Sequence, residues 1–327
     1  MSSKVKQANF RLPLEYMSMI DDFASRENIT KAAVITRALD CMQASYDSGN
    51  GGMPVTGSGS GASEQEINDL KNQLKQAFQE CKFLGYDTVE NFAFIRDYYA
   101  DDPQALVDLT KECGVDLVNL YGHFTFDVEE AIRIAKEQID FCAAVGVKWY
   151  NCQNAGFGDD GPSERPTNPE MLDKMCYVAN TVGAYAKEKG VTLCFHPHYG
   201  TCVFWQSDID YFAEHTNPDY VSFCFDTAHT TLAGMDPAAL IRQYGSRVAY
   251  MHLKDVDTYA LSKAEGRDKM GTFRALGHGT VNFPAVKAAL EEVGFDGVLC
   301  VELDRPEVCN FHSAEVSRIY LRDVLGI

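Results

Sequence analysis

The chain has 327 residues and a formal net charge of -18, from 29 Lys+Arg against 47 Asp+Glu. At 46% apolar and 23% charged it has the composition of a globular protein with a sizeable core, which excludes disorder over most of its length. No apolar run approaches the roughly 18 residues that cross a bilayer, Met1-Ser2-Ser3-Lys4 starts no apolar leader, and the 11 cysteines include no C-x-x-C pair, so a cytoplasmic protein with reduced, buried thiols is expected.

In chain order, Met1 to Asp47 carries six basic and six acidic side chains, so the whole negative charge lies downstream. Gln7-Ala8-Asn9-Phe10-Arg11-Leu12-Pro13 alternates polar and apolar residues as a strand does, and Pro13 starts a helix with Leu14, Met17 and Ile20 on one side. Thr30 is placed to N-cap a second helix carrying Val34, Ala38 and Met42. About 47 residues bury too little to stand alone, which predicts a homodimer or higher assembly. This segment resembles the Arc/MetJ ribbon-helix-helix family. The resemblance implies that Gln7, Asn9 and Arg11 read bases from a strand ribbon in the DNA major groove, while the missing excess of basic charge favours a module that only dimerises.

Residues 48–63, SGNGGMPVTGSGSGAS, are Gly/Ser-rich and read as a flexible linker ahead of a domain spanning 64–327. There Ile67, Leu70, Leu74, Phe78 and Cys81 recur at spacings of three and four, as on one face of a helix. Strands are expected at Asp87 to Phe94, Asp116 to Tyr121, Val147 to Cys152, Val191 to Phe195, Tyr220 to Phe225, Val248 to Leu253 and Val298 to Glu302, with helical stretches between. Repeated βα units in this number predict an α/β protein, a (β/α)8 TIM barrel. Its first strand is missing or degenerate: Met53-Pro54-Val55-Thr56 is the only candidate before the first helix, and otherwise the barrel has a gap.

Titratable residues recur at the ends of four successive predicted strands: His196-Pro197-His198, Asp226-Thr227-Ala228-His229, His252-Leu253-Lys254-Asp255 and Glu302-Leu303-Asp304. In a parallel barrel these ends converge on one mouth, and a charged cluster there needs a cation to neutralise it. One His or Asp alone is more often structural; the recurrence predicts a divalent-metal site.

The region from Lys82 onward also resembles the xylose isomerase-like TIM-barrel superfamily, and within it the inosose dehydratase branch. The likeness is carried by HPHYGT, FDTAHTTLAGMDPAALIRQYGSRVAYMHLKDV, the stretch from Phe273 to Leu290, and GFDGVLCVELD. It implies His196, Asp226, His252 and Glu302 as metal ligands, with His196 standing where much of the superfamily has Glu. It further implies a lyase or isomerase acting on a keto-polyol or sugar by proton abstraction beside a carbonyl. Dehydration is the first reading; isomerisation, epimerisation or 3-keto C-glycoside cleavage is the second, and a sugar-sensing DNA-binding regulator with an inactive barrel the third. His198, Glu302 or His229 would move protons, and Lys254 would pair with developing negative charge. Mixed nitrogen and oxygen donors suit Mn²⁺ or Co²⁺ first, Fe²⁺ or Zn²⁺ next. Glu90, His123, Gln153 and Trp205 are further candidates to line a substrate pocket. Gly277-His278-Gly279 lacks the spacing of a phosphate loop.

Overall fold

The structure, a computed structural model, describes residues 6–11, 64–154 and 168–327. The two helices of the ribbon-helix-helix reading, the 48–63 linker and Met53 to Thr56 lie outside the described residues. Seven parallel strands follow the expected runs closely: β2 (Thr88–Phe92), β3 (Asp116–Phe124), β4 (Trp149–Asn154), β5 (Thr192–Phe195), β6 (Val221–Asp226), β7 (Val248–Leu253) and, after a short β8 (Asp255–Val256) and β9 (Phe273–Arg274) paired antiparallel outside the barrel, β10 (Val298–Val301). They form a nearly closed barrel.

The remaining gap is filled from the N-terminus. β1 (Lys6–Arg11) runs between β10 and β2 and closes the barrel in the order β1-β10-β7-β6-β5-β4-β3-β2. It is parallel to both neighbours, with Asn9 opposite Cys300, Phe10 opposite Val301 and Val89, and Arg11 opposite Glu90. The first strand is therefore not missing: Lys6–Arg11 occupies its place. The alternation that suggested a DNA-reading ribbon at Gln7, Asn9 and Arg11 belongs to a barrel strand whose two edges are occupied, and a strand so paired has no edge left for an antiparallel partner.

Local chemistry explains the helices. α1 (Glu64–Phe83) buries Leu74, Phe78 and Cys81 from the expected stripe. α2 (Pro103–Cys113), α3 (Val128–Val145) and α4 (Pro169–Glu188) start at Asp102, Asp127 and Asn168, each of whose side chains accepts a first-turn amide. The strands are buried almost end to end, as expected of parallel strands covered by helices. Leu193, Phe195, Phe223, Phe225 and Met251 join the main core, while Cys194, Cys224, Tyr250, Val298 and Cys300 form a separate cluster. Of the ten described cysteines, all free, nine are buried and only Cys309 is exposed. Among the described residues no helix is long and apolar enough to cross a membrane.

The Gly277-His278-Gly279 turn has a structural task. The buried Asp255 carboxylate accepts the amides of Gly277 (3.0 Å), Gly279 (2.9 Å) and Val281 (3.0 Å), so those donors are taken. A Cβ at Gly279 would overlap Asp255 Oδ1 and lie 2.6 Å from the Val256 carbonyl oxygen, whereas one at Gly271 meets nothing within 4 Å. Gly279→Ala should cost about 1–3 kcal/mol, as overpacking does. A thermal scan should show a melting temperature several degrees lower, with Gly271→Ala unchanged; equal melting would remove this role from Asp255.

Candidate active site

The strand order β5-β6-β7-β10 makes the four titratable segments neighbours. His196 directly follows β5, Asp226 ends β6, His252 lies in β7 opposite both Asp226 and Cys300, and Glu302 follows β10. All four are buried: His196 and Asp226 at 1% exposure, His252 at 0% and Glu302 at 5%. Residues remote in sequence meet because each sits at the same level of a parallel barrel.

Two triads result. Asp226, His252 and Glu302 offer ligand atoms within 4.8 Å of one another, and His196, His198 and His229 do the same. His196 borders both, its ring 4.8 Å from that of His252 and 5.8 Å from that of His229. His196 Nδ1 donates to the Cys224 carbonyl at 3.0 Å, which leaves the Nε2 lone pair available. Asp226 caps α6 (Thr227–Leu232): Oδ1 accepts the amides of Ala228 (2.7 Å) and His229 (2.9 Å), and Oδ2 lies 3.3 Å from Lys254 Nζ. His252 lies between two carboxylates, with Nδ1 2.7 Å from Glu302 Oε2 and Nε2 3.2 Å from Glu90 Oε2. The Lys254 ammonium, fully buried, sits 2.7 Å from Asp304, 3.5 Å from Glu302 and 4.8 Å from the centre of the Phe273 ring.

Burial and neighbouring charge set the protonation. Desolvation, reinforced by nearby imidazoles and Lys254, holds His196 and His229 well below the usual histidine range, and desolvation with Lys254 brings His198 to about 4. All three are neutral at pH 7. Burial also pushes His252 down, but Cys224, Glu90 and Glu302 outweigh it and keep the ring protonated well above its ordinary value. Burial raises Asp226 to about 6 against the pull of Lys254. Burial opposes the Lys254 charge too, yet Asp226, Asp304 and Glu302 raise it overall.

This donor set fits a divalent cation. Two buried carboxylates and an imidazole converge within 4.8 Å of one another, where a cation would replace the positive charge that His252 supplies. Because His252 is protonated at pH 7, cation uptake should release about one proton, and apparent affinity should fall about tenfold per unit of falling pH. Titration calorimetry in buffers of different ionisation enthalpy measures both. Affinity that does not change between about pH 6 and 8 would remove His252 from the ligand set.

The other predicted residues are spread around this centre. Glu90 is 1% exposed, accepts from Asn119 Nδ2 at 3.0 Å and contacts His252. Gln153 accepts from the Tyr121 hydroxyl at 2.9 Å, and the Tyr121 ring lies 5.6 Å from that of His196 and 5.9 Å from that of His252. His123, opposite Gln153, has its basicity lowered by burial. Trp205 precedes α5 (Gln206–His215) and packs on Phe204 at 4.7 Å. Sequence reasoning missed Asn119 and Tyr121, although Asn119, Tyr121 and His123 are spaced by two on one strand and a polar residue inside the run DLVNLYGHF was a usable signal. It also gave Asp304 no role, where the structure gives it the shortest contact to Lys254.

The family model for the xylose isomerase-like TIM barrel matches residues 78–320. Similar proteins include the inosose dehydratase of Clostridium perfringens (strain 13 / Type A), 29% identical with 77% of this chain and 90% of the relative covered. That of Geobacillus thermodenitrificans is also 29% identical, covering 61% of this chain and 72% of the relative. Among solved structures, the IOLI protein with a binding zinc atom aligns with a TM-score of 0.64 at 20% identity, over 78% of this chain and 92% of that one. D-psicose 3-epimerase with D-tagatose from Clostridium cellulolyticum H10 aligns with a TM-score of 0.63 at 14% identity, over 77% and 93%.

Proposed function

Because the chain belongs to the xylose isomerase-like TIM-barrel family, we propose that it is a divalent-metal-dependent dehydratase of a keto-polyol, of the inosose dehydratase type. The observation that carries the reading is the meeting of Asp226, His252 and Glu302 within 4.8 Å at the barrel mouth, beside a row of neutral imidazoles. Asp226, His252 and Glu302 would hold the ion with His196 beside them, and mixed donors favour Mn²⁺ or Co²⁺. When bound, the ion supplies Lewis acidity at a carbonyl and its neighbouring hydroxyl.

The chain's own groups handle the protons. His198 Nδ1 donates to the Tyr199 carbonyl at 2.6 Å, so Nε2 carries the lone pair and accepts the proton from the carbon beside the carbonyl. His229 Nε2 faces the Lys254 ammonium at 3.5 Å, which places its proton on Nδ1, a buried atom with no hydrogen-bond partner among the described residues. That N–H donates to the departing β-hydroxyl. The two rings lie 3.8 Å apart, close enough for His198 to return its proton to His229, so the hydrogen taken from carbon and the hydroxyl leave together as water. Lys254, steadied by Asp304, stabilises negative charge developing on the substrate oxygen. The imidazole at His196 breaks the two-carboxylate symmetry that an epimerase uses to exchange a proton between faces, which favours elimination.

Incubation with 2-keto-myo-inositol and Mn²⁺ should yield an enone absorbing in the ultraviolet, and a chelator should abolish it. Deuterium entering recovered substrate without elimination would replace this reading with epimerisation or isomerisation.

A further inference from the structure

We infer that Glu90 is the positioning carboxylate of the metal centre: it holds the proton of His252 on Nε2 and thereby turns the Nδ1 lone pair toward the ion. The inference deepens the proposed function and rests on its metal reading.

His252 has carboxylates at both ring nitrogens, and each belongs to a group of potential ligands: Glu302 meets His252 together with the Asp226 carboxylate, and Glu90 meets it together with the Cys300 thiol. The two carboxylates with one imidazole are the set that suits the proposed ion, so the His252 atom 2.7 Å from Glu302, Nδ1, is the one assigned to the cation. Glu90 touches the opposite nitrogen, Nε2, at 3.2 Å. It comes from β2, which β1 and β10 separate from β7, so the contact spans the barrel interior. Its own position is fixed. Asn119 Nδ2 donates to the same Oε2 at 3.0 Å, and Asn119 Oδ1 accepts the Asn151 amide at 2.8 Å, so a buried chain runs from β4 through β3 and β2 to His252. Register supports it, since Glu90 and Asn119 are paired across β2 and β3.

Imidazole can offer one lone pair to a cation only if its other nitrogen keeps the proton, and a carboxylate behind the ring both selects that tautomer and makes the ring a stronger donor. His196 receives the same treatment from a different group, the Cys224 carbonyl at Nδ1. Each ring is thus turned by an acceptor behind it, and only for His252 is that acceptor a full charge. Glu90 accordingly acts through His252, on the far side of the ring from the ion, and does not serve as a substrate contact.

Glu90→Gln preserves size and tests the charge. Two readouts are taken on the full chain. Calorimetric titration of the chelator-stripped protein with Mn²⁺ should show affinity weakened about 10–100-fold, with stoichiometry unchanged. Nitrogen-15 NMR of the histidine rings in the metal-free protein above the His252 titration should show the proton on Nε2 in the parent and redistributed toward Nδ1 in Glu90→Gln, with His252→Gln assigning the signal. Unchanged Mn²⁺ affinity and tautomer would overturn the inference, and a raised KM with both unchanged would return Glu90 to the substrate. A lower melting temperature alone, with affinity and tautomer intact, would leave it a purely structural residue and also overturn the inference. Parent protein that takes up no Mn²⁺ overturns the metal reading instead, and the NMR comparison then still judges whether Glu90 fixes the ring.

Discussion

Asp226→Asn should abolish turnover while leaving the barrel folded. Asp226 has two separable tasks: Oδ1 caps α6 by accepting two amides, and Oδ2 lies with Lys254 at the point where the triad converges. Asparagine keeps an acceptor oxygen and is as good a cap, and Asp304 and Glu302 still face the buried Lys254 ammonium, so the metal-free protein should stay folded, with a melting temperature lowered by the loss of one of three carboxylates around Lys254. It removes the negative charge, and with it the strongest reason for a divalent ion to bind there. Lewis-acid assistance contributes several kcal/mol to such reactions, and about 4 kcal/mol corresponds to a loss near 10³-fold in kcat/KM. Asp226→Ala should lose the same activity and an additional ~1 kcal/mol of stability, because the cap goes too. Metal analysis, turnover and thermal scans on the pair separate the tasks. An Asp226→Asn variant within tenfold of the parent would end the case for a cation at Asp226, His252 and Glu302.

How much of this was legible in the sequence depends on the kind of signal. The seven barrel strands β2 to β7 and β10 were visible because parallel strands covered on both faces read as short continuous apolar runs, and the convergence of Asp226, His252 and Glu302 because polar ends stood out against those interiors. Glu90 was visible as an acid in an early strand, a candidate to line the substrate pocket, yet its partner was not. The contact with His252 crosses 162 residues, and no local spacing encodes a distance through the barrel interior. Asn119 and Tyr121 sat in an apolar run and were absorbed into it. The first strand failed for another reason: a strand is recognised by alternation and then assigned to the nearest plausible unit, and Lys6–Arg11 was separated from α1 by residues 12–63, far beyond an ordinary βα connection.

That placement has a large expected consequence at Asn9. Its backbone belongs to a strand paired in parallel on both sides, opposite Cys300 on β10, with β2 along its other edge. Proline there removes an amide hydrogen and adds a ring that a central strand has no room for, a cost of about 3 kcal/mol or more. The damage should reach the centre directly, because Arg11 is in register with Glu90, and Cys300 is opposite both Asn9 and His252. Asn9→Pro should therefore lower the melting temperature by several degrees and weaken Mn²⁺ uptake together, whereas Asn9→Ala, which keeps the amide, should do little to either. If residues 1–47 instead form a separate ribbon module, the pattern reverses. The barrel then melts unchanged in Asn9→Pro, and salt-sensitive retention of duplex DNA disappears in Asn9→Ala and Arg11→Ala. Thermal scans with and without Mn²⁺, alongside a DNA-retention assay on the same three variants, decide between the two, because one strand cannot be held on both edges inside a barrel and also lie open across a dimer.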